Sequence, residues 1–307
     1  MIPNEKYKAF RSLHGRPSAF VMPNPWNAGT ARILTALGFE ALATTSAGYA
    51  FSVGRRDGAA GLTRDEIFDN AKSIVDATHL PVSADLEDGY GRAPEACAAT
   101  IRLASDLGLA GGSIEDATGD AADPVYDFQL AVERVAAAAE TAQDCQFMLT
   151  ARAENYLHGR PDLGDTIRRL QSFAEAGADV LYAPGLPNLD AIREVCASVS
   201  KLVNVFMGLK GATYSLEELA AAGVKRISVG GSFARAALGA FVRAAREVKE
   251  KGTFFIRGGR DSSCRGERLH GKGQALAAPN AYMRSLSATE SNSVADSSFQ
   301  VLICSRS

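Results

Sequence analysis

The segment Asp85-Leu86-Glu87-Asp88-Gly89-Tyr90-Gly91 places two carboxylates two positions apart at the end of a short apolar run. On an extended chain Asp85 and Glu87 point the same way. A third carboxylate, Glu115, ends the next apolar run in Ser113-Ile114-Glu115-Asp116, and Arg152 ends a later one in Thr150-Ala151-Arg152-Ala153-Glu154-Asn155. Three carboxylates in a partly enclosed pocket repel one another and stay ionised together only around a cation. Oxygen donors without His or Cys select Mg²⁺, with Mn²⁺ as a substitute, over Zn²⁺. Mg²⁺ keeps several waters, so some of these carboxylates are expected to hold water rather than metal. The planar fork of Arg152 suits a substrate carboxylate gripped in two places. Ser46-Ala47-Gly48 has the small side chains of a loop that offers backbone N–H groups to an anion. Two plainer readings stay open: a solvated acidic turn at Asp85–Asp88, and a structural ion pair from Arg152 to one carboxylate.

Such residues must be brought together by the elements that carry them. Eight short runs read as strands, at about 18–23, 40–46, 81–87, 111–116, 147–153, 179–184, 201–207 and 225–230. Most are apolar at nearly every position, which suits parallel strands covered on both faces. Helical stretches separate them, and Gly38, Gly108, Gly177 and Gly223 each stand where a helix gives way to the next apolar run. Thr63 with Glu66 and Ser215 with Glu218 have the spacing of capping boxes. The count predicts an α/β protein built as a (β/α)8 TIM barrel, with a doubly wound open sheet as the alternative. In a parallel barrel the functional groups gather at the carboxyl ends of strands, where the charged residues above lie. The barrel is expected to span 1–257. The Ser-rich stretch 258–307 shows little periodicity before Phe299 and is expected to be a loosely ordered tail.

Lys+Arg is 33 and Asp+Glu is 35, a net charge of −2, so neither a nucleic-acid footprint nor polybasic membrane docking is expected. No apolar run reaches the roughly 18–20 residues of a membrane span. The N-terminus lacks the apolar core of a secretory signal. Cys97, Cys145, Cys196, Cys264 and Cys304 fall in no CxxC or Cys/His spacing, so free thiols and a cytoplasmic setting are expected. His14, His79, His158 and His270 show no metal spacing; His158 could reach the pocket mouth or lie on the surface. Asn27 is read as a pocket-lining or a plain loop residue, and the amphipathic stretch Phe233–Lys251 as a helix packed on its own barrel or a partner's.

Taken in order, these residues resemble the isocitrate lyase / phosphoenolpyruvate mutase superfamily over roughly 5–250. Asp85-Leu86-Glu87-Asp88-Gly89-Tyr90-Gly91 is similar to its Asp-x-(Asp/Glu)-x-Gly-(Tyr/Phe)-Gly metal motif. Ile114-Glu115-Asp116, Ala151-Arg152, Ser46-Ala47-Gly48, Asp57, Asn204 and Arg226-Ile227-Ser228-Val229-Gly230 support it. The resemblance implies a Mg²⁺-dependent carbon–carbon lyase or decarboxylase for a small 2-oxo acid or hydroxydicarboxylate of the oxaloacetate or malate type, working through a metal-stabilised enolate. It also implies a homo-oligomer, a dimer of dimers, with a C-terminal helix exchanged between subunits. Asp85 would ligate the metal, with Glu87, Glu115 and Asp57 holding its waters. Ser46, Ala47, Gly48, Asp85, Arg152 and Asn204 would contact the substrate, and Arg152, Glu115 and Thr118 are the candidate catalytic residues. The lyases' Lys-(Lys/Arg)-Cys-Gly-His loop is replaced here by Ala117-Thr118-Gly119-Asp120-Ala121-Ala122-Asp123-Pro124, so the chain is similar to the superfamily's short-loop members. In that loop Thr118 is either a hydrogen-bond donor to substrate or a turn residue. A P–C bond enzyme of the phosphoenolpyruvate mutase or phosphonopyruvate hydrolase type and a non-catalytic 2-oxo acid binding protein are the alternative functions.

Overall fold

The structure, a computed structural model, describes residues 3–57, 61–208, 211 and 213–256. The expected tail at 258–307, with Cys264, Cys304 and His270, lies outside the described residues.

Eight strands form one parallel sheet: β1 Phe20–Met22, β2 Leu42–Ala43, β3 Val82–Asp85, β4 Gly111–Glu115, β5 Met148–Arg152, β6 Val180–Tyr182, β7 Leu202–Phe206 and β8 Arg226–Ser228. The helices are α1 Pro3–Gly15, α2 Ala28–Ala36, α3 Ser46–Ser52, α4 Arg64–Ala77, α5 Pro94–Asp106, α6 Phe128–Asp144, α7 Leu163–Glu175, α8 Leu189–Ser198, α9 Leu216–Ala221 and α10 Ser232–Lys251. The strand order is β1-β8-β7-β6-β5-β4-β3-β2. That sequential order is a barrel's and not a doubly wound sheet's. At the remaining seam the Ala43 N–H donates to the Pro23 carbonyl at 3.0 Å, and the Asn24 side-chain amide donates to the Thr44 carbonyl at 2.8 Å. The fold is therefore a (β/α)8 barrel.

Local sequence explains most of the framework. The four glycines that re-enter strands all take positive φ, 107° at Gly177, where a side chain would be strained. Both expected capping boxes form, on α4 and α9. A third, unexpected one puts Asn27 at the start of α2, its side chain accepting the Thr30 N–H at 2.9 Å. Asn27 is thus a helix cap. The second strand is shorter than the expected 40–46. The chain leaves it at Thr44 because Thr45 caps α3, its hydroxyl accepting the Gly48 N–H at 3.2 Å.

Two apolar layers hold the barrel. One lies between strands and outer helices and includes Leu86, Ile101, Ile114, Val135, Leu149, Leu170 and Phe173. The other gathers Phe10 and Leu13 of α1 with Phe20, Met22, Ala43, Met148 and Val180. Here α1 closes the amino-terminal end of the barrel. Lys6 anchors it, its ammonium donating to the carbonyls of Val75 and Thr78 at 3.1 and 3.0 Å. Gly111 makes the fit possible, since a Cβ there would stand 2.7 Å from the Met148 carbonyl oxygen and 2.9 Å from the Phe10 ring. α10 buries Ala234, while Phe233, Leu238, Phe241 and Val242 remain exposed on this chain.

Candidate active site at the strand ends

The carboxyl ends of β3, β4 and β5 are in register: Asp85 pairs with Ser113, and Glu115 with Arg152. This juxtaposition centres on Arg152. Its guanidinium lies 3.0 Å from Asp85, 3.2 Å from Glu115 and 2.7 Å from Glu154, and 5.0 Å from the centroid of the Tyr182 ring. Burial alone would lower the pKa of Arg152, but Glu154, Glu115 and Asp85 more than reverse this and hold it well above the usual value. Of the two readings of Arg152, a clamp for substrate and an ion pair to one carboxylate, the ion pair is present and extends to three carboxylates.

The second carboxylate of the motif is placed differently from the expectation. β3 ends at Asp85, and Glu87 and Tyr90 take left-handed backbone with φ of 50° and 58°. An extended-chain argument therefore does not reach Glu87. Strain of this kind persists only where surrounding contacts over-determine it. Those contacts are present: the Glu115 N–H donates to the Glu87 carbonyl at 3.0 Å, and the Tyr90 N–H to the Asp88 carboxylate at 2.9 Å. Arg134, only 1% exposed, donates from α6 to the carbonyls of Asp88, Gly91 and Arg92 and stacks over the Tyr126 ring. The Tyr126 hydroxyl donates to Asp88 at 2.9 Å. Asp88 thus builds the loop rather than the pocket's reactive edge.

Two adjoining cavities open at this end and share Ser46, Asp57, Asp85 and Arg152. The outer, of ≈ 400 Å³, is lined by Asp57, Asp85, Glu87, Asp88, Glu115 and Glu154 against Arg56 and Arg152, with Thr118 and His158 at its edge. The inner, of ≈ 190 Å³, is lined by Ser46, Ala47, Tyr182, Asn204, Arg226 and Ser228 among others. Every expected site residue except Gly48 lines one or both. The Gly48 N–H goes to Thr45, and a Cβ there would meet Thr45 at 2.6 Å and Trp26 at 3.0 Å, so Gly48 serves packing. Thr118 reaches the outer cavity with its hydroxyl committed to the Asp123 carbonyl, the turn geometry of its loop. Ser46 donates to Asp85 at 3.0 Å.

The outer cavity carries more negative charge than its arginines offset. Burial, with Asp85 beside it, pushes the Glu87 carboxyl up to about 8. Burial also raises Glu115 well above the usual range, against the opposing pull of Arg152. Among the described residues no three of His, Cys, Asp and Glu are gathered into a ready-made ligand cage. An all-oxygen, over-acidic pocket without a tight cage fits a hard cation that binds few side chains directly and keeps its waters. Asp85 would then hold the ion, and Glu87, Glu115 and Asp57 its waters.

Several participants have no role assigned from the sequence, although Glu154 and Arg226 lie in stretches it singles out. Glu154 stands two residues beyond Arg152, a spacing that could have paired them. Tyr182 had no signal beyond its place at a strand end. Arg226, a charged residue opening an apolar strand, was a signal that only the barrel interior explains.

The fold and site define an α/β barrel with an anionic pocket at the carboxyl ends of its strands. The phosphoenolpyruvate phosphomutase family model matches residues 10–249. An uncharacterized protein of Mycobacterium tuberculosis is 32% identical over 243 residues, 79% of this chain and 89% of its own. A 2-methylisocitrate lyase of Shewanella oneidensis is 30% identical over 211 residues, 66% of this chain and 70% of its own. A crystal structure from Burkholderia cenocepacia, named for the lyase/mutase class, superposes with a TM-score of 0.84 at 55% identity, covering 88% of this chain and 96% of that one. The chain belongs to the phosphoenolpyruvate phosphomutase family, within the isocitrate lyase / phosphoenolpyruvate mutase superfamily.

Proposed function

We propose that this chain is a Mg²⁺-dependent lyase that breaks a carbon–carbon bond in a small 2-oxo acid or hydroxydicarboxylate. The observation that carries the reading is the over-acidic cavity around Asp85, Glu87 and Glu115, adjoining a second cavity lined by Arg152 and Asn204. The lyase named among its relatives supports it. A divalent cation bound there supplies an electron sink for the carbonyl next to the breaking bond.

The chain's own groups supply the rest. Ser46 orients Asp85 through its hydroxyl, and Ser46 and Ala47 line the inner cavity, where they would meet a substrate carboxylate. Arg152 presents positive charge where negative charge develops on substrate oxygens, with Glu154 and Tyr182 fixing its plane. Loss of CO₂ from oxaloacetate leaves the bonding electron pair on C3, delocalised into the C2 carbonyl, and one proton returns to C3 to give pyruvate. This path needs no base in the loop at 117–124. Cleavage of a hydroxydicarboxylate needs one to take the hydroxyl proton.

The test is turnover of oxaloacetate and malate-type acids with Mg²⁺ or Mn²⁺, against an Asp85→Asn control that subtracts the metal's own catalysis of decarboxylation. Metal-dependent CO₂ or cleavage product above the control supports the reading; no turnover across the panel refutes it. The name of the matching family favours a second reading, P–C bond chemistry, which a phosphonopyruvate incubation followed by phosphorus NMR would reveal. Metal-dependent binding without product in either assay would make the chain a 2-oxo acid binding protein.

A further inference from the structure

Arg226 is 3% exposed, in the barrel interior, and lines the inner cavity. Its Nε donates to Asn204 Oδ1 at 2.8 Å, one Nη donates to Thr150 Oγ1 at 2.8 Å, and the other faces His14 Nε2 at 3.4 Å. All three partners are neutral. No carboxylate among the described residues forms an ion pair with it, whereas the other buried arginines, Arg134 and Arg169, and the partly buried Arg152 each have at least one. An uncompensated cation inside a protein is costly, and the cost falls when an anion arrives. Burial lowers the Arg226 guanidinium to about 10, in keeping with the missing counter-charge.

The two cavities are therefore opposite in character. The outer is rich in carboxylates; the inner ends at a buried guanidinium without one. We propose that Arg226 is a specificity-determining residue that receives the second carboxylate of a dianionic acid whose other end lies beside Asp85. The assignment rests on the proposed function and adds a substrate feature to it. A guanidinium N–H not used by Asn204, Thr150 or His14 donates to the incoming carboxylate. An acid with a single carboxylate leaves that charge unpaired.

The experiment is calorimetric binding in the presence of Mg²⁺, with pyruvate as the single-carboxylate probe and ketomalonate and 2-oxoglutarate as 2-oxo diacids of two lengths. The wild-type protein is expected to bind the better diacid at least about tenfold tighter than pyruvate. Arg226→Met is expected to cut that preference about ten- to hundredfold while pyruvate binding holds, and Arg226→Lys to restore part of it. Asn204→Asp keeps the oxygen that Arg226 contacts but supplies the missing charge from within. It is expected to raise the melting temperature, which reports the missing counter-charge; because Asn204 itself lines the inner cavity, diacid recognition is read from the Arg226 variants. Should Arg226→Met fail to fold, Arg226→Gln and Arg226→Lys carry the test through the same diacid-to-pyruvate ratio. An unchanged diacid-to-pyruvate ratio in the folded variants overturns the role of Arg226 alone. Failure of the wild-type protein to bind any of these acids with Mg²⁺ overturns the proposed function and this assignment together.

Discussion

Replacing Arg152 by Met removes the one cation shared by Asp85, Glu115 and Glu154, at 3.0, 3.2 and 2.7 Å. The guanidinium side chain is 14% exposed, so water can do little to replace it. Orphaning one partner of a buried pair costs about 3–5 kcal/mol. Glu115 already holds a proton readily, which relieves part of the repulsion and places the expected loss near the lower end, about 3 kcal/mol. For a chain of this size each kcal/mol moves the melting temperature by roughly 2–4 °C, so the metal-free variant should melt about 6–12 °C lower. Mg²⁺ should act in the opposite sense. Two like unit charges about 5 Å apart repel by roughly 3 kcal/mol at an effective dielectric of 20. Losing the arginine should therefore tighten Mg²⁺ binding by at least about tenfold and let the ion restore much of the lost stability. Thermal melts of wild-type and Arg152→Met protein, each in EDTA and in Mg²⁺, read both effects, with Arg152→Lys as the charge-retaining control. Equal Mg²⁺ shifts in the two proteins would refute the idea that Arg152 and the cation share one set of carboxylates.

Two further predictions concern the barrel itself. His14 is 5% exposed, its Nδ1–H donating to the Phe10 carbonyl at 2.8 Å, and burial with Arg226 nearby lowers it to about 3. The folded state thus keeps His14 neutral while the unfolded chain takes up a proton below about 6.5. Its stabilisation is full above that pH and falls by about 1.4 kcal/mol per unit as pH drops toward 3. Glu87, raised to about 8, and Asp116, raised by burial to about 6, act in the opposite direction, gaining stability as pH falls. The wild-type minus His14→Gln difference in urea-unfolding free energy isolates the histidine; a difference that is flat from pH 7 to pH 5 would count against the neutral, buried His14. Gly111→Ala drives a methyl against the Met148 carbonyl and should cost about 1–3 kcal/mol, whereas Gly239→Ala on exposed α10 should be neutral or stabilising by up to about 1 kcal/mol. Chemical denaturation of both variants checks this, and equal effects would contradict the close fit of α1 into the barrel.

The amino-acid sequence by itself determined the eight-unit rhythm, the helix caps at Thr63 and Ser215, the re-entry glycines and the charged residues at strand ends. Each is written within a few neighbouring residues, where backbone sterics and short-range hydrogen bonds decide the outcome. Even the departures at Asn27 and Thr45 were local, because both are capping residue types in a sequence with competing uses for them. The tertiary structure alone decided that Arg152 is shared by three carboxylates, that Glu87 leaves the strand yet lines the same cavity, and that Arg226 meets His14, Thr150 and Asn204. Those contacts join residues up to 212 positions apart. They depend on the register and closure of the barrel, which place side chains across its interior and are spelled out by no single stretch of chain.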